Sequence, residues 1–241
     1  MMLLFFIVIY FDVIKIVNNL IKIMKMKRKL KLIKTSDGSH SICDIEKDEI
    51  YHSRYGAIQE SLHIFINNGL KICKKKNIKI LEVGLGTGLN LLLTYLNSRN
   101  KEIEYYSLEP FPIPFELIKK INYEEILSAD IMSSIHNFPV QKKNILRDNF
   151  SFFRYECEFL SFDSFEKFDI IYYDAFSPRV QPKMWEPINF KKAYKLLNKE
   201  GFLITFCAKG EVKRSLKKVG FKLTHPKGPF GKREITLAQK S

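Results

Sequence analysis

The 241-residue sequence has few cysteines and no clear metal-binding or linker motifs. Its four cysteines are scattered and form no C-x-x-C pair. This spacing argues against a disulfide scaffold, a zinc ribbon and an iron–sulfur site, and it fits a reduced, cytoplasmic protein. The histidines have no partners at metal-ligand spacing, so we expect no metal. Internal repeats and Gly- or Pro-rich linkers are also absent.

Acidic residues are in short supply. There are 40 Lys plus Arg against 26 Asp plus Glu, a formal net charge of +14, and half of the excess lies in residues 1–34. A moderately basic chain is consistent with a polyanionic partner, although AT-rich coding also enriches lysine. Because 46% of the residues are hydrophobic and 27% charged, the chain can bury a core.

No apolar run is long enough to span a bilayer. The first run covers residues 1–11, whereas a spanning helix needs about 20 residues. Positive charge follows this run and no Ala-x-Ala site appears, unlike the pattern of a signal peptide. We expect residues 1–25 to be an apolar extension outside the fold, with the natural start at Met24 or Met26. A peripheral anchor and a signal-anchor helix are the alternatives, but we expect no stable membrane association.

From residue 78 onward, short apolar strands alternate with helical patterns. Strands are predicted at 78–83, 103–108, 152–159, 168–173, 201–207, 221–224 and 234–238, and helices at 89–96, 115–121, 190–197 and 212–219. Residues 122–150 show no clear pattern. The alternation predicts a Rossmann-like α/β fold with a mostly parallel, seven-stranded sheet and helices on both faces.

The region before residue 78 does not show this alternation of strands and helices. Asp37-Gly38 between two short apolar runs predicts a β-hairpin, and apolar residues at helical spacing from Ile58 to Leu70 predict a helix. We therefore divide the chain into the extension 1–25, an N-terminal hairpin and helix over 26–77, and a main domain over 78–241.

A glycine-rich loop follows the first strand of the main domain. Gly84, Gly86 and Gly88 stand where glycine allows positive φ and close approach of the backbone to a ligand. The spacing is not the dinucleotide fingerprint G-x-G-x-x-G, and the Lys-Ser/Thr of a P-loop is absent. Glu109, at the end of the next strand, can accept hydrogen bonds from two ribose hydroxyls. A nucleoside ligand without phosphates fits this loop better than a tight turn alone.

These residues resemble the S-adenosyl-L-methionine-dependent methyltransferase fold. In that fold an E/D-x-G-x-G-x-G loop holds the methionine end of the cofactor, and the acid after the second strand holds the ribose. The resemblance covers roughly residues 78–240. It implies that the cofactor-binding residues include Glu82, Gly84, Gly86, Gly88, Asn90 and Glu109.

A second motif, D-A-F-S-P-R-V-Q-P-K-M-W, begins where the strand 168–173 ends. Carboxyl ends of parallel strands face one crevice, so Asp174 is expected to point at the same place as the glycine loop. Phe176 and Trp185 offer flat apolar surface beside a carboxylate, which suits a planar base that bears an amine. Helix capping by Asp174 and a core position for Trp185 are the structural alternatives.

Both motifs together resemble the methyltransferase domain of the MnmC family. The upstream segments T-S-D-G-S-H at 35–40 and Y-H-S-R-Y-G-A-I-Q-E-S at 51–61 resemble that family as well. The resemblance implies that the chain converts 5-aminomethyl-(2-thio)uridine at the wobble position of the tRNA anticodon to 5-methylaminomethyl-(2-thio)uridine. Bifunctional members carry an FAD-dependent oxidase domain. Since this sequence has a single dinucleotide-like loop, we expect methyltransferase activity without FAD.

The same resemblance implies roles for individual side chains. Asp174 is the expected catalytic residue, and we rate it as an orienter of the acceptor amine above a general base, because an ordinary Asp has a pKa near 4. Tyr51, Ser53 and Glu60 are expected to close over the cofactor or line the acceptor pocket, unless Glu60 is a solvated helix charge. Substrate binding is assigned to Phe176, Pro178, Arg179, Lys183 and Trp185. Glu158 and Asp163 are candidates for the contact to adenine.

Two rival functions stay open. An aminopropyltransferase of the spermidine synthase type shares the sheet and an Asp-containing loop, but its paired D-x-x-D is replaced here by D-A-F-S. A non-catalytic RNA-binding or membrane-tethered module is disfavoured because two cofactor-type motifs converge on one crevice. Binding of tRNA requires a cationic face, for which Arg179 and Lys183 are favoured and basic pairs such as Lys232-Arg233 are further candidates.

Overall fold

The computed structural model describes residues 28–241, so the predictions for residues 1–25 lie outside the described residues. The strands are β1 (Leu30–Lys34), β2 (His40–Asp44), β3 (Glu49–Ile50), β4 (Asn77–Val83), β5 (Glu102–Leu108), β6 (Lys143–Arg147), β7 (Phe150–Tyr155), β8 (Phe168–Tyr173), β9 (Leu197–Thr205), β10 (Lys222–Thr224) and β11 (Thr236–Gln239). β1, β2 and β3 form a small antiparallel sheet, and the other strands form an eight-stranded sheet in the order β10-β11-β9-β8-β4-β5-β7-β6.

The helices are short. They are α1 (Ala57–Ser61), α2 (Leu89–Leu96), α3 (Phe115–Ile118), α4 (Tyr123–Leu127), α5 (Met132–Asn137), α6 (Pro187–Leu196) and α7 (Gly210–Val219). A π-helical turn (Leu62–Asn67) continues α1, and 3-10 turns occur at Leu70–Ile72, Phe159–Ser161 and Pro182–Trp185. Within residues 28–241 no helix combines the length and the apolar character needed to cross a membrane.

The mostly parallel sheet predicted from the sequence is confirmed, with one strand more than the seven expected. β7, β5, β4, β8 and β9 pair in parallel, whereas β10, β11 and β6 add antiparallel pairings at the two edges. The additional strand, β6, comes from the segment 122–150 that showed no clear pattern. Its sequence K-N-I-L-R is largely polar and Ile145 is exposed, as is typical of an edge strand, so apolar periodicity gave no signal.

The central strands are largely apolar because both faces of the sheet are covered. Ile78 and Ile80 of β4 pack into the cluster on the side of α2, whereas Leu81 and Val83 pack into the cluster on the side of α6 and α7. Such continuous apolar runs are characteristic of parallel strands that are buried on both faces. Polar groups that belong to a binding site are therefore confined to the strand ends and the loops beyond them.

The predicted N-terminal hairpin is confirmed, with Lys34 opposite His40 across the turn. Asp37 fixes this turn, since its Oδ1 accepts hydrogen bonds from the Thr35 hydroxyl (2.7 Å) and the Ser39 N–H (3.0 Å). Its Oδ2 accepts the N–H of Gln59 in α1 at 3.1 Å. The hairpin is thereby tied to the helix, and the segment between them, 51–56, is held over the main sheet.

The helix predicted between Ile58 and Leu70 is interrupted. The chain follows α1, widens into the π-helical turn and ends in the 3-10 turn. Gly69 permits this path, because a Cβ on it would lie 2.2 Å from the carbonyl oxygen of Phe65. The helix predicted at 115–121 is also shorter than expected, and the strand predicted at 152–159 ends at Tyr155.

Two phenylalanines close together in sequence allow a test of this core. Phe168 on β8 is fully buried and Phe165 is fully exposed. We expect Phe168→Ala to lower the free energy of unfolding by about 3–5 kcal/mol, because it leaves a cavity. Phe165→Ala should change it by less than about 0.5 kcal/mol. Urea unfolding followed by circular dichroism measures both, and equal losses would contradict the assigned core.

Candidate active site

A cleft of about 590 Å³ opens beyond the carboxyl ends of β4, β5 and β8. Sites for small molecules typically have volumes of about 300–1,000 Å³. Of the residues predicted for the site, those that line the cleft are Tyr51, Ser53, Glu60, Gly84, Gly86, Asn90, Glu109, Asp174, Phe176 and Lys183. The glycine loop and the Asp174 loop therefore share one cleft, as expected from their positions at neighbouring strand ends.

The glycine loop lies directly against the Asp174 loop. Gly84 has φ +96°, and a Cβ there would lie 2.7 Å from the carbonyl oxygen of Asp174. The N–H of Asp174 donates in turn to the carbonyl of Val83 at 3.0 Å. Gly86 has φ +51°, and a Cβ there would lie 3.1 Å from the ring of Tyr51. Only glycine allows these approaches without strain.

Glu109 supports the glycine loop from the end of β5. Its two carboxylate oxygens accept backbone hydrogen bonds at 3.0 Å, one from Gly86 and one from Phe111. Burial raises the pKa of Glu109, and the two backbone hydrogen bonds oppose that rise. Each oxygen keeps a lone pair, so the carboxylate can still accept hydrogen bonds from a ligand hydroxyl.

Asp174 is positioned by Asn90, whose Nδ2 donates to Asp174 Oδ2 at 2.8 Å. Burial raises the pKa of Asp174 to about 7, while the hydrogen bond from Asn90 lowers it and the nearby charge of Glu60 raises it. This pKa is higher than the value near 4 of an ordinary Asp, on which the ranking of Asp174 as an orienter above a general base was based. At neutral pH this carboxyl group can both accept and release a proton, which is the property that a general base requires.

Glu82 and Gly88 do not line the cleft, contrary to their predicted contact with the cofactor. Glu82 is fully buried beneath the loop, and neither carboxyl oxygen has a hydrogen-bond partner within the described residues. Burial raises its pKa well above the ordinary value, because an ionised carboxylate is costly to bury. Gly88, with φ +83°, immediately precedes α2. A Cβ added to Gly88 would lie 3.0 Å from Nε2 of His136.

Tyr51 covers the glycine loop and is held by Arg28, a residue that sequence reasoning did not identify. Arg28 donates to the Tyr51 hydroxyl and, at 2.5 Å, to the carbonyl of Phe111. The edge of the Tyr51 ring meets Phe176 with 4.8 Å between centroids. Lys47, also missed, lies 5.3 Å from the same Phe176 ring. The small N-terminal sheet thus supplies one wall of the cleft.

Glu60 is not the solvated helix charge considered as an alternative. It is buried, its Oε2 accepts the N–H of Ser53 at 2.7 Å, and its Oε1 pairs with the ammonium group of Lys232. Lys232 lies 4.5 Å from the ring of Phe206 and lines the cleft. Sequence reasoning placed Lys232 only on a cationic surface, because a basic pair on its own does not reveal a partner 172 positions away.

Trp185 is a core residue, so the prediction that it stacks on a substrate base is wrong. Its side chain is 6% exposed, it packs against Tyr173 with 5.4 Å between centroids, and Nε1 donates to the carbonyl of Phe176 at 2.8 Å. Burial of the indole with its N–H satisfied is the more stable arrangement. Trp185 thus supports the Asp174–Phe176 loop from behind.

Three further predicted residues lie outside the cleft lining. Arg179 pairs with the Glu49 carboxylate at 2.6 Å and donates to the Asp48 carbonyl at 2.8 Å. It therefore ties the loop that begins at Asp174 to β3. Pro178 stands beside it in the same loop. Of the two candidates for an adenine contact, Glu158 lines the cleft, whereas Asp163 is exposed outside it.

The Asn90–Asp174 hydrogen bond can be tested by substitution. We expect Asn90→Leu to raise the pKa of Asp174 above about 7, because the bond that favours the ionised carboxylate is removed. A carbon-13 NMR titration of labelled aspartate measures this shift. Asn137→Leu, an exposed position at the end of α5, is the matched control and should leave the pKa unchanged. An unchanged or lowered value in Asn90→Leu would contradict the assigned bond.

Comparison with known proteins agrees with this geometry. Residues 125–241 match the model of a family described as S-adenosyl-L-methionine-dependent methyltransferases. The crystal structure of MNMC2 from Aquifex aeolicus superimposes with a TM-score of 0.68 at 24% identity, over 89% of this chain and 71% of that chain. At this identity the superposition shows a shared fold.

Relatives by sequence carry the MnmC name. The tRNA 5-methylaminomethyl-2-thiouridine biosynthesis bifunctional protein MnmC of Ralstonia nicotianae is 27% identical over 207 residues, which are 79% of this chain and 32% of the relative. An uncharacterised protein of Methanocaldococcus jannaschii is 25% identical over 223 residues, 91% of this chain and 62% of its own length. The chain thus spans about a third of the MnmC relative. These comparisons agree with the resemblance predicted from the motifs: the chain matches the methyltransferase family model over residues 125–241, shares the fold of MNMC2, and is similar in sequence to the MnmC proteins.

Proposed function

We propose that the chain is an S-adenosyl-L-methionine-dependent N-methyltransferase. Its reaction converts 5-aminomethyl-(2-thio)uridine at the tRNA wobble position to 5-methylaminomethyl-(2-thio)uridine. The observation that carries the proposal is the position of the Asp174 carboxyl group in the same cleft as the glycine loop. The names of the MnmC relatives, tRNA 5-methylaminomethyl-2-thiouridine biosynthesis proteins, support the choice of substrate.

The cleft has the donors and acceptors that S-adenosyl-L-methionine requires. Gly84 and Gly86 expose backbone along its wall, and the Glu109 carboxylate is available for the ribose hydroxyls. Glu158 lies on the lining where a contact to the adenine amino group is proposed. When bound, the cofactor supplies a methyl group on a positively charged sulfur. Because its transfer to an amine is a displacement without redox change, we propose that the reaction uses neither a metal nor FAD.

The acceptor side of the cleft suits a neutral amine on a planar base. An ammonium group has no lone pair, so the amine must lose a proton before it attacks, and Asp174 is the group that accepts this proton or its hydrogen bond. The rings of Phe176 and Tyr51 provide apolar surface for the base. Lys183, exposed at the rim, is placed for a phosphate contact. Alignment of reactants of this kind contributes up to about 7–11 kcal/mol.

Transfer to a small polyamine is not favoured. A polyamine carries at least two cationic groups and needs a separate carboxylate for the second one. The D-A-F-S motif lacks the second acid of D-x-x-D, and Glu60 in the same cleft is already paired with Lys232. Because Glu60 and Lys232 neutralise each other, this wall offers no free carboxylate for the second ammonium group of a polyamine.

The same proposal extends to the organisation of the chain. We place an N-terminal unit at 26–77, which supplies Tyr51, Ser53 and Glu60 to the cleft, before a methyltransferase domain at 78–241. Residues 1–25 are taken to contribute nothing to the reaction. We also propose that the enzyme acts in the cytoplasm, on tRNA, without stable membrane association.

Removal of the Asp174 carboxylate tests the function. We expect Asp174→Asn to slow methyl transfer by about 10²–10⁴-fold, the usual contribution of a general base, with cofactor binding retained. In the wild type, methyl transfer should rise with pH through about 7 as Asp174 ionises. In Asp174→Asn the rise should move to higher pH, because the amine must then lose its proton without this carboxylate. Nucleoside mass spectrometry of tRNA that carries 5-aminomethyluridine, incubated with the cofactor, measures the product.

Asp130→Asn, at an exposed acid outside the cleft lining, is the matched control and should turn over like the wild type. Normal turnover by Asp174→Asn would refute the role of this residue. Failure of the wild type to form 5-methylaminomethyl-uridine would refute the function itself.

Gly84 and Gly38 allow a test of the cofactor loop. Both have positive φ, but a Cβ on Gly84 meets the Asp174 backbone, whereas a Cβ on Gly38 meets nothing within 4 Å. We expect Gly84→Ala to weaken S-adenosyl-L-methionine binding by about tenfold or more, since such strain costs about 1–3 kcal/mol. Gly38→Ala should lose stability only. Isothermal titration measures both, and equal cofactor affinities would contradict the assigned loop.

A further inference from the structure

We propose that the exposed aromatic pair Tyr55 and Phe230 is a stacking platform for a nucleotide that flanks the modified uridine in the RNA loop. The proposal rests on the proposed function and specifies how the substrate is held outside the cleft. The two residues come from segments far apart in the chain, one before α1 and one between β10 and β11.

The two rings form one exposed apolar surface. Their centroids are 4.8 Å apart with 75° between the planes. Phe230 is 76% exposed and Tyr55 is 52% exposed. Single exposed apolar side chains are common, but two aromatic rings in contact on the surface are more typical of a binding site.

The aromatic pair lies on the rim of the cleft. The N–H of Tyr55 donates at 3.2 Å to the hydroxyl of Ser53, which lines the cleft. Two residues after Phe230, Lys232 lines the same wall and pairs with Glu60. The rings are therefore close to the part of the cleft wall that Ser53 and Lys232 form.

The loop that carries Phe230 packs closely against the ring of Tyr55. Gly231 has φ +82°, and a Cβ there would lie 2.3 Å from the Tyr55 ring. His63 Nε2 donates to the carbonyl of Lys227 at 2.7 Å, and Lys227 pairs with Glu234 in an isolated β-bridge. The loop is thus anchored on both sides, so the ring surface is formed before any ligand binds.

The charge around the rings favours RNA over an apolar partner. Arg54, Lys227 and Arg233 are exposed next to the pair. Among residues 28–241, no ion pair involves Arg54 or Lys227. Aromatic surfaces flanked by unpaired cations bind single-stranded nucleic acids, because the bases stack while the cations meet the phosphates.

The test compares RNA affinities of single variants of the full chain. We expect Tyr55→Ala and Phe230→Ala to weaken binding of undermodified tRNA by between about fivefold and about a hundredfold, the usual effect of losing one stacked base. The dependence of affinity on salt should stay as in the wild type, since no phosphate contact is removed. Tyr55→Phe and Phe230→Trp should retain binding. Fluorescence anisotropy over a salt series measures these values.

Phe165→Ala, an exposed phenylalanine outside the cleft lining, is the matched control and should bind tRNA like the wild type. Unchanged tRNA affinity in both alanine variants would overturn the platform, even where the wild type methylates tRNA. Binding to anionic lipid vesicles that depends on Phe230, with unchanged tRNA affinity, would overturn it in favour of a membrane contact. Methyl transfer by the wild type is scored separately, so failure of the function is distinguished from failure of the platform.

Discussion

Gly84 and Asp174 follow adjacent parallel strands, β4 and β8, and their backbones approach so closely that a side chain on Gly84 has no room. The strand pairing continues past the sheet through the hydrogen bond from the Asp174 N–H to the Val83 carbonyl. Since this contact fixes the two loops against each other, Asn90 in the first turn of α2 reaches the Asp174 carboxylate. The glycine loop and the Asp174 carboxyl group therefore belong to one unit rather than to two independent loops.

Hydrogen bonds from Gln181 and Trp185 hold the loop that follows Asp174 in place. The N–H of Phe176 donates to Gln181 Oε1 at 2.9 Å, and its carbonyl accepts the indole N–H of Trp185. Both backbone polar groups of Phe176 are thus satisfied inside the protein, which leaves its ring free to face the cleft. The tryptophan acts on the site through this residue, and the aromatic surface available to a ligand comes from Phe176 and Tyr51.

Whether the sequence predicts a site residue depends on whether its position follows from a strand end or only from tertiary structure. Asp174 and Glu109 were predictable, because apolar periodicity locates the strand ends and parallel strand ends share one edge. Glu82 and Trp185 were misassigned, since a motif gives the position of a residue but not the direction of its side chain. Arg28 and Lys232 were missed because long cationic side chains reach the cleft from segments joined only by tertiary structure. The pKa of Asp174 depends on burial, which periodicity does not report.

The π-helical turn at Leu62–Asn67 has a consequence for the electrostatics of the cleft. A π-helical turn contains more residues than an α-helical one, and this one begins at Leu62, two residues after Glu60. Deletion of one residue here would restore regular α-helical winding and rotate the preceding segment by about 100° relative to the following one. The Glu60 carboxylate would then turn away from Lys232. A single-codon deletion at Leu62 or Ile66, neither of which lines the cleft, thus suffices to leave an uncompensated cation in its wall.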